Sequence, residues 1–380
     1  MEDSSWYFTA AIVDSKENIA QVSIHNAPDH LNSSQGDLAI SRNWMEYIEF
    51  KNSEGPGAYD VLRCDLIKEG GTSTTFKVWG QDYHLKRLED SYKELDTRSS
   101  IDKEMLKMAH EQSADIVTSL LSKMVEHEQR RLENGTAAKE HDIVCEIVRL
   151  TLLWTPTSNA IIVRGHASTS GGIMVPYQTP KEIVATLALP KDDSETLPER
   201  KKPHAKISSW SRKRRPLENK ESFMPEGVGE VLLLHRNRSH ETSTKSYEIL
   251  EGMTSNFFAI YHDGTIRTAR DGILFGYVRH LVIDCASACG LKLDNRPVNL
   301  NDGRKGLWAE TFITSSSRLI YPIKKILVPD YGFETTDDEA GHQLGLNWKV
   351  FWEVKSMDTN EFKWNRLLKE ILKRSGYHES

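Results

Sequence analysis

Four separated segments of the 380-residue chain hold the side chains best suited to chemistry. They are HLKRLEDS at 84–91, AKISSWSRKRRPLE at 205–218, EGMTSNFFAI at 251–260 with ILFGYVR at 273–279, and ETFITSSSRLIYPI at 310–323. Each places polar groups at the end of a strand-like run or the start of a helical one, where a fold presents its functional groups. The triplet Ser315-Ser316-Ser317 offers hydroxyls and backbone N–H groups directly after a strand. Gly276 stands before a helical run, whose first N–H groups have no intrahelical partner and favour an anion. Arg87, on a helix, adds a guanidinium fork. Singly, each of these is ordinary, since an isolated lysine is usually solvated and a serine triplet usually a turn. Together they suit a phosphate-bearing group.

Other motifs carry less. No GxxxxGK[ST] and no well-placed GxGxxG supports nucleotide binding. Cys285 and Cys289 share a helical face, but two thiols do not make a zinc site, and core packing is expected. Asn134-Gly135-Thr136 matches a glycosylation acceptor and reads as a helix-ending turn. The basic run Arg200, Lys201, Lys202 and Lys206, with Arg212 to Arg215, reads first as a solvated linker face, with a nuclear signal or an anion patch as the alternatives.

The elements that must position these groups are legible in outline. Ala10 to Val13 and Ala20 to Ile24 read as edge strands or a partly ordered extension. After the turn signal at 52–57, YDVLRCDLI and TFKVWG alternate as a hairpin. From Gln81 the period becomes helical, with His84, Leu85, Leu88 and Tyr92 on one side. A long helix follows from Ile101 to about Leu132, through Ile116, Leu120, Leu121 and Met124, and Gly135 ends it. Strands are expected at 143–154, 160–167 and 182–189. The second half adds strands EVLLLH and NFFAIY, a turn at Asp263-Gly264 and a helix from about Phe275 to Cys289. Strands TFITS and LIYPIKKILV follow, then an amphipathic helical tail over 340–375 burying Trp348, Phe351, Trp352, Leu367, Leu368 and Ile371. The mixed order implies an α/β or α+β fold rather than regular βαβ alternation. The expected boundaries are an extension at 1–54, a smaller α/β domain at 55–190, a polar linker at 191–204, a larger domain at 205–330 and a helical extension at 331–380.

Composition excludes several classes. A 38% hydrophobic content with nine Trp, twelve Tyr and eleven Phe is enough for a sizeable core and argues against disorder. A net charge of −6 gives no global basic field for nucleic acid. No apolar run approaches the roughly 20 residues of a membrane span, and the start MEDSSWYFTA lacks a secretory pattern. Four cysteines are too few for a disulfide scaffold. The expectation is a protein of the cytoplasm, without nucleic-acid or membrane partners and without a metal.

A lysine and a glutamate completing the phosphate set would suit pyridoxal 5′-phosphate, the amine through a Schiff base and the carboxylate by holding the ring nitrogen protonated. The ordered segments resemble the class IV aminotransferases, the fold-type IV pyridoxal phosphate enzymes, which include branched-chain and D-amino-acid aminotransferases and aminodeoxychorismate lyase. The family's H-x-x-R-L-x-x-S matches His84, Arg87, Leu88 and Ser91. Its E-G-x-x-S-N-x-F matches Glu251, Gly252, Ser255, Asn256 and Phe258. Its L-x-G-x-x-R matches Leu274, Gly276 and Arg279, and its F-x-T-[SG]-[ST]-x-x-x-I-x-P-[VI] matches Phe312, Thr314, Ser315, Ser316, Ile320, Pro322 and Ile323. The resemblance spans roughly 57–328 and is strongest over 247–323.

The resemblance implies two domains with the cofactor in the cleft between them. It implies that Lys206 forms the Schiff base and moves the substrate proton, with Lys202, Lys213 and Lys220 as competitors. Glu251 would meet the ring nitrogen, with Ser255 and Asn256 beside it. Arg87, the backbone at Tyr277 and Val278, and Ser315 and Ser316 would hold the phosphate. Tyr59, Arg63 and Arg149 would meet the substrate carboxylate. The chain departs from the family at Ser209, Trp210 and Ser211, where Asn or Tyr is usual, and at Val278, where Thr is usual. A backbone N–H still serves at Val278. The implied activity is amino transfer between an amino acid and a 2-oxo acid by a homodimer. Elimination of the aminodeoxychorismate lyase type is one alternative. A non-catalytic interaction module is the other, and retention of Lys206 and Glu251 argues against it.

Overall fold

The computed structural model describes residues 5–13, 23–26, 57–69, 73–95, 103–133, 144–156, 161–174, 183–188, 206, 228–237, 246–329, 348–354 and 362–377. The expected linker at 191–204, the turn at Asn134-Gly135, the basic residues around Lys206 and the segment after it lie outside the described residues. Contacts divide the chain into two compact units: Met1–Gln178 with His204–Arg212, and Thr179–Pro203 with Lys213–Ser380.

In chain order the first unit contains β1 (Ser5–Val13), β2 (Ser23–Asn26), β3 (Ala58–Glu69), β4 (Ser73–Val78), α1 (Gln81–Leu95), α2 (Lys103–Glu133), β5 (Val144–Pro156) and β6 (Ile161–Met174). Its six-stranded sheet runs β2-β1-β6-β5-β3-β4, and every pairing is antiparallel. β2 lies at an edge, while β1 lies between β2 and β6 and is an interior strand. Alternation along β3 sends Ala58, Leu62, Cys64 and Leu66 into one core with Leu85, Leu88 and Tyr92 of α1. α2 adds Leu106, Ala109, Ile116, Val117, Leu120, Leu121 and Met124, a helical stripe on the same core. The one polar interruption of that stripe, Ser113, is satisfied by the indole N–H of Trp154 at 2.9 Å.

The second unit contains β7 (Ile183–Ala188), β8 (Val228–Asn237), β9 (Ser246–Gly252), β10 (Asn256–Tyr261), β11 (Thr265–Arg267), α3 (Tyr277–Ala286), β12 (Lys292–Asp294), β13 (Val298–Asn299), α4 (Leu300–Arg304), β14 (Trp308–Ser315), β15 (Leu319–Pro329), β16 (Trp348–Glu353) and α5 (Lys363–Arg374). Its ten-stranded sheet runs β12-β11-β10-β14-β15-β7-β8-β9-β13, with β16 on β15. β9 also pairs with β10, which closes β10, β14, β15, β7, β8 and β9 into a ring. All six strands of the ring contribute to one apolar cluster, through Leu187, Leu232, Ile249, Phe257, Ile313 and Ile326 among others. Closure rests on one register pair, Asn256 opposite Glu251.

The tail is not helical throughout. Residues Trp348–Glu353 form β16, and the helix begins at Lys363. Trp348, Phe351 and Trp352 recur at helical spacing, but the register slips between Ile326 and Leu327 of β15, so Phe351 is an extra residue in the ladder. That bulge turns neighbouring Phe351 and Trp352 toward the same core. α5 does carry the expected apolar stripe, with Trp364, Leu367, Leu368, Ile371 and Leu372 buried. Glu310 of β14 anchors it: its carboxylate oxygens accept the N–H groups of Lys363 at 2.9 Å and Trp364 at 3.0 Å.

Candidate functional site

In the first unit the site is built on α1. His84, Arg87, Leu88 and Ser91 stand at spacings of three and four residues, hence on one helical face, and all four are buried. Leu88 joins the core, while the other three meet polar partners. Asp60 sits at a core-facing position of β3, between Ala58 and Leu62, and has no exposed surface. The Arg87 guanidinium grips it, Nε donating to Oδ2 at 2.7 Å and Nη2 to Oδ1 at 2.6 Å. His84 Nδ1 lies 3.1 Å from Asp60 Oδ2 and 3.1 Å from Arg87 Nη2. Charge assigns the Nδ1 proton to the carboxylate rather than to the guanidinium.

Lys206 completes this cluster from far along the chain. Its backbone N–H donates to the Ser91 hydroxyl at 2.8 Å, and Ser91 in turn donates to the Arg87 carbonyl at 2.6 Å. The Lys206 carbonyl accepts the N–H of Tyr59 at 3.0 Å. Fixed at both backbone atoms, the lysine sets its Nζ 3.5 Å from Asp60 Oδ1 and 4.8 Å from the centre of the Tyr59 ring, with 15% of the side chain exposed. Burial raises the Asp60 carboxyl, but Arg87, then His84 and Lys206, draw it well below the usual carboxylate range. Burial also pushes the His84 ring below its usual value, against the attraction of Asp60. With His84 neutral, the cluster gathers two cations around one carboxylate and suits an anionic ligand.

Tyr59, Arg63 and Arg149 share the other face of the sheet. Arg63 of β3 and Arg149 of β5 are register partners, and Tyr59 stands two places before the Val61–Thr151 pair. Arg63 is 1% exposed, donates to Asp65 at 2.7 Å and stacks over Trp79 at 5.5 Å. Trp79 fixes the other oxygen of Asp65 through its indole N–H at 2.7 Å.

In the second unit Glu251 and Asn256 meet the segment leading into α3, whereas Ser255 turns to Glu230, its hydroxyl donating to Oε2 at 2.7 Å. Glu251 is buried, and its Oε2 accepts the Leu274 N–H at 2.9 Å and the Asn256 Nδ2 amide at 3.4 Å. Asn256 also donates to the Leu274 carbonyl at 2.6 Å and accepts the Gly276 N–H at 3.2 Å. A Cβ on Gly276 would run into Asn256 Oδ1, so this approach of backbone to amide requires glycine. Gly276 is the N-cap of α3 and gives no side-chain cap, so the helix start at Tyr277 and Val278 presents N–H groups from its first turn. Arg279, the last residue of its motif, donates to the Ala269 carbonyl at 2.9 Å and lies over Phe275, a role in holding the loop.

Asn256 is the register partner of Thr314, which precedes Ser315. Among the described residues the buried Thr314 hydroxyl has no hydrogen-bond partner, a polar atom left for a ligand or water. Ser315 Oγ accepts the N–H of Arg318 at 3.2 Å, which closes the hairpin over Ser316 and Ser317. The residues present fit pyridoxal phosphate by type: a largely covered lysine amine that shares Asp60 with a guanidinium in one unit, and in the other a buried carboxylate, a helix start and a hydroxyl-rich hairpin.

Asp60 is the site residue the sequence reading missed. Its signal was available, as a carboxylate between two apolar core positions of an alternating strand. Cys285 is buried as expected, whereas Cys289, on the 3-10 turn after α3, is only partly buried; no group of metal-ligating side chains occurs among the described residues.

A family model for amino-transferase class IV matches residues 66–326, nearly the span of the sequence resemblance. Similar solved structures include a fold IV-transaminase from Curtobacterium pusillum, at 18% identity over 84% of this chain and 92% of that chain with a TM-score of 0.47. Another is a hypothetical aminotransferase from Mycobacterium tuberculosis in its PLP-bound form, at 15% identity over 96% and 98% with a TM-score of 0.48. A third is a branched-chain aminotransferase from Thermoproteus uzoniensis with norvaline, at 15% identity over 85% and 87% with a TM-score of 0.47. No curated protein matches the chain.

Proposed function

Because this chain belongs to the class IV aminotransferases, we propose that it is a pyridoxal-phosphate-dependent aminotransferase acting on an amino acid and a 2-oxo acid. The observation that carries this reading is the delivery of Lys206 to the His84–Arg87–Ser91 face. Ser91, 115 residues away in sequence, holds its backbone, and Asp60 faces its amine and the Arg87 guanidinium together. A solvated linker lysine would need none of these contacts.

Lys206 would carry the cofactor. Arg87, the backbone at Tyr277 and Val278, Ser315 and Ser316 would hold its phosphate, and Glu251, supported by Asn256 and Ser255, would meet its ring nitrogen. When bound, pyridoxal phosphate supplies an electron sink for the bond broken at the substrate α-carbon. The chain's own groups do the rest. Lys206 Nζ would take the proton from the substrate α-carbon and deliver it to C4′ of the cofactor, before the 2-oxo acid is released by water and the amino group stays behind. Asp60 keeps a negative charge beside that amine and prevents Arg87 from swinging away. Glu251, acceptor-only and buried, retains a proton on the ring nitrogen through its charge. Tyr59, Arg63 and Arg149, on one face of the sheet, would meet the substrate carboxylate, with Arg63 held in place by Asp65. We further propose a cytoplasmic homodimer. Cys64, Cys285 and Cys289 are free thiols, in keeping with a reducing compartment. No helix among the described residues is long and apolar enough to cross a membrane.

The test is a half-reaction. Protein loaded with pyridoxal phosphate should change its absorbance band when an amino acid is added and recover it when a 2-oxo acid follows. A band that no amino acid alters, with cofactor retained, would overturn the transferase reading. Release of pyruvate or ammonia without recovery would assign a lyase instead.

A further inference from the structure

Glu230, on β8, is not explained by the strand's alternation or by any role given above. It is 5% exposed and surrounded by donors. Its Oε2 accepts the hydroxyls of Ser255 at 2.7 Å and Thr254 at 3.0 Å, and its Oε1 accepts the Val231 N–H at 3.1 Å. Both hydroxyls belong to the turn between Glu251 and Asn256. The same turn is pressed against Glu230: a Cβ on Gly252 would stand 2.7 Å from the Glu230 Cδ and would collide with the Ser255 hydroxyl. From the other side comes Arg318, in the hairpin after β14. Its Nη1 is 3.7 Å from Glu230 Oε2 and donates to the Gly229 carbonyl at 3.3 Å, while its backbone N–H donates to Ser315 Oγ. The next residue, Leu319, is buried at a φ of 56°, a conformation costly for a bulky side chain. Strain of this kind persists only where surrounding contacts hold it.

We infer that Glu230 is a positioning residue that fixes the Glu251–Asn256 turn and the Ser315–Leu319 hairpin to each other. The role in cofactor binding rests on the function proposed above, whereas the mechanical coupling does not. One carboxylate accepts the Thr254 and Ser255 hydroxyls of one loop and is ion-paired at 3.7 Å with Arg318 of the other, and its negative charge is what answers the guanidinium. Without it, the ring-nitrogen partner and the phosphate hydroxyls would be set by two loops free to move separately.

The test is hydrogen exchange by mass spectrometry on the full chain, with and without pyridoxal phosphate, beside a titration of cofactor affinity. Arg318→Ala removes the link from the hairpin side alone. It should speed exchange in peptides covering 251–256, which it does not touch, by about threefold or more, and Glu230→Gln should do so in both segments. Introduced into Glu230→Gln, Arg318→Ala should add little at 251–256. In the titration, Arg318→Ala and Ser255→Ala should combine non-additively, by roughly 2-fold to 100-fold, as residues of one network do. Exchange at 251–256 unchanged in Arg318→Ala would overturn the coupling. Wild-type protein that fails to bind pyridoxal phosphate would sink the proposed function, and the exchange measurement would still decide the role of Glu230.

Discussion

Replacing Asp60 with asparagine is the sharpest perturbation of the first unit. The side chain has no exposed surface and takes two bonds from Arg87, at 2.7 Å and 2.6 Å, with Lys206 3.5 Å away. Asn keeps the shape but offers one acceptor where Arg87 brings two donors, and its amide N–H groups then face another donor. Removing one partner of a buried ion pair costs about 3–5 kcal/mol, chiefly because the remaining charge stays buried and unanswered. For a unit of this size each kcal/mol moves Tm by about 2–4 °C, so cofactor-free Asp60→Asn should melt roughly 6–20 °C below wild type. The double variant Asp60→Asn, Arg87→Met removes the stranded guanidinium and should recover most of that loss. Saturating pyridoxal phosphate should narrow the deficit of the single variant, because its phosphate answers the same cation. Calorimetry of the three proteins, with and without cofactor, measures this. A single variant within about 2 °C of wild type, or a double variant no better than the single, would show that Asp60 and Arg87 are not a buried pair of this kind.

Other consequences follow from the same geometry. Glu251→Gln preserves the Leu274 and Asn256 contacts while removing charge, so turnover should fall much further than cofactor affinity, and Arg87→Ala should reverse that order; steady-state kinetics beside a cofactor titration separates them. Gly276→Ala drives a methyl group into Asn256 Oδ1, and overpacking of this sort costs about 1–3 kcal/mol; the Gly276 bond to Asn256 should be lost, and affinity for pyridoxal phosphate should drop with it. His84 has a lowered folded value because burial outweighs Asp60. The unfolded ring therefore binds a proton, from about pH 6.5 downward, that the folded ring refuses. Stability should fall across that window, by up to about 1.4 kcal/mol per pH unit, until the folded value is reached. Denaturant unfolding from pH 7.5 to pH 5 should show this slope, and His84→Gln should lessen it.

Most of the framework was legible because period and position agree in it. α1, α2 and the strands β3 to β8 have alternation or helical spacing, and the first of the four motifs lies on α1. β16 was illegible because a bulge at Phe351 reproduces, in a strand, the spacing of a helix. The strands β11 to β13, of two or three residues, are too short to show a period, and β9, which carries Glu251, was read through its motif rather than as a strand. Within the site, Asp60 could have been found from a charged residue at a core-facing position. The contact from Ser91 to Lys206 could not, because nothing local to either residue specifies a hydroxyl bridge across so much chain. Glu230 stood at the start of the strand read as EVLLLH, and its significance appears only when the Glu251–Asn256 turn and the Ser315–Leu319 hairpin are seen to converge on it.

The central claim is that Lys206 is the lysine that carries pyridoxal phosphate, and one measurement tests it directly. Purified protein loaded with the cofactor is reduced with borohydride, digested, and its peptides mapped by mass spectrometry. A single pyridoxyl adduct on Lys206 is the expected result. An adduct on Lys202, Lys213 or Lys220, or reduction that leaves every lysine unmodified while the protein retains its fold, would contradict it.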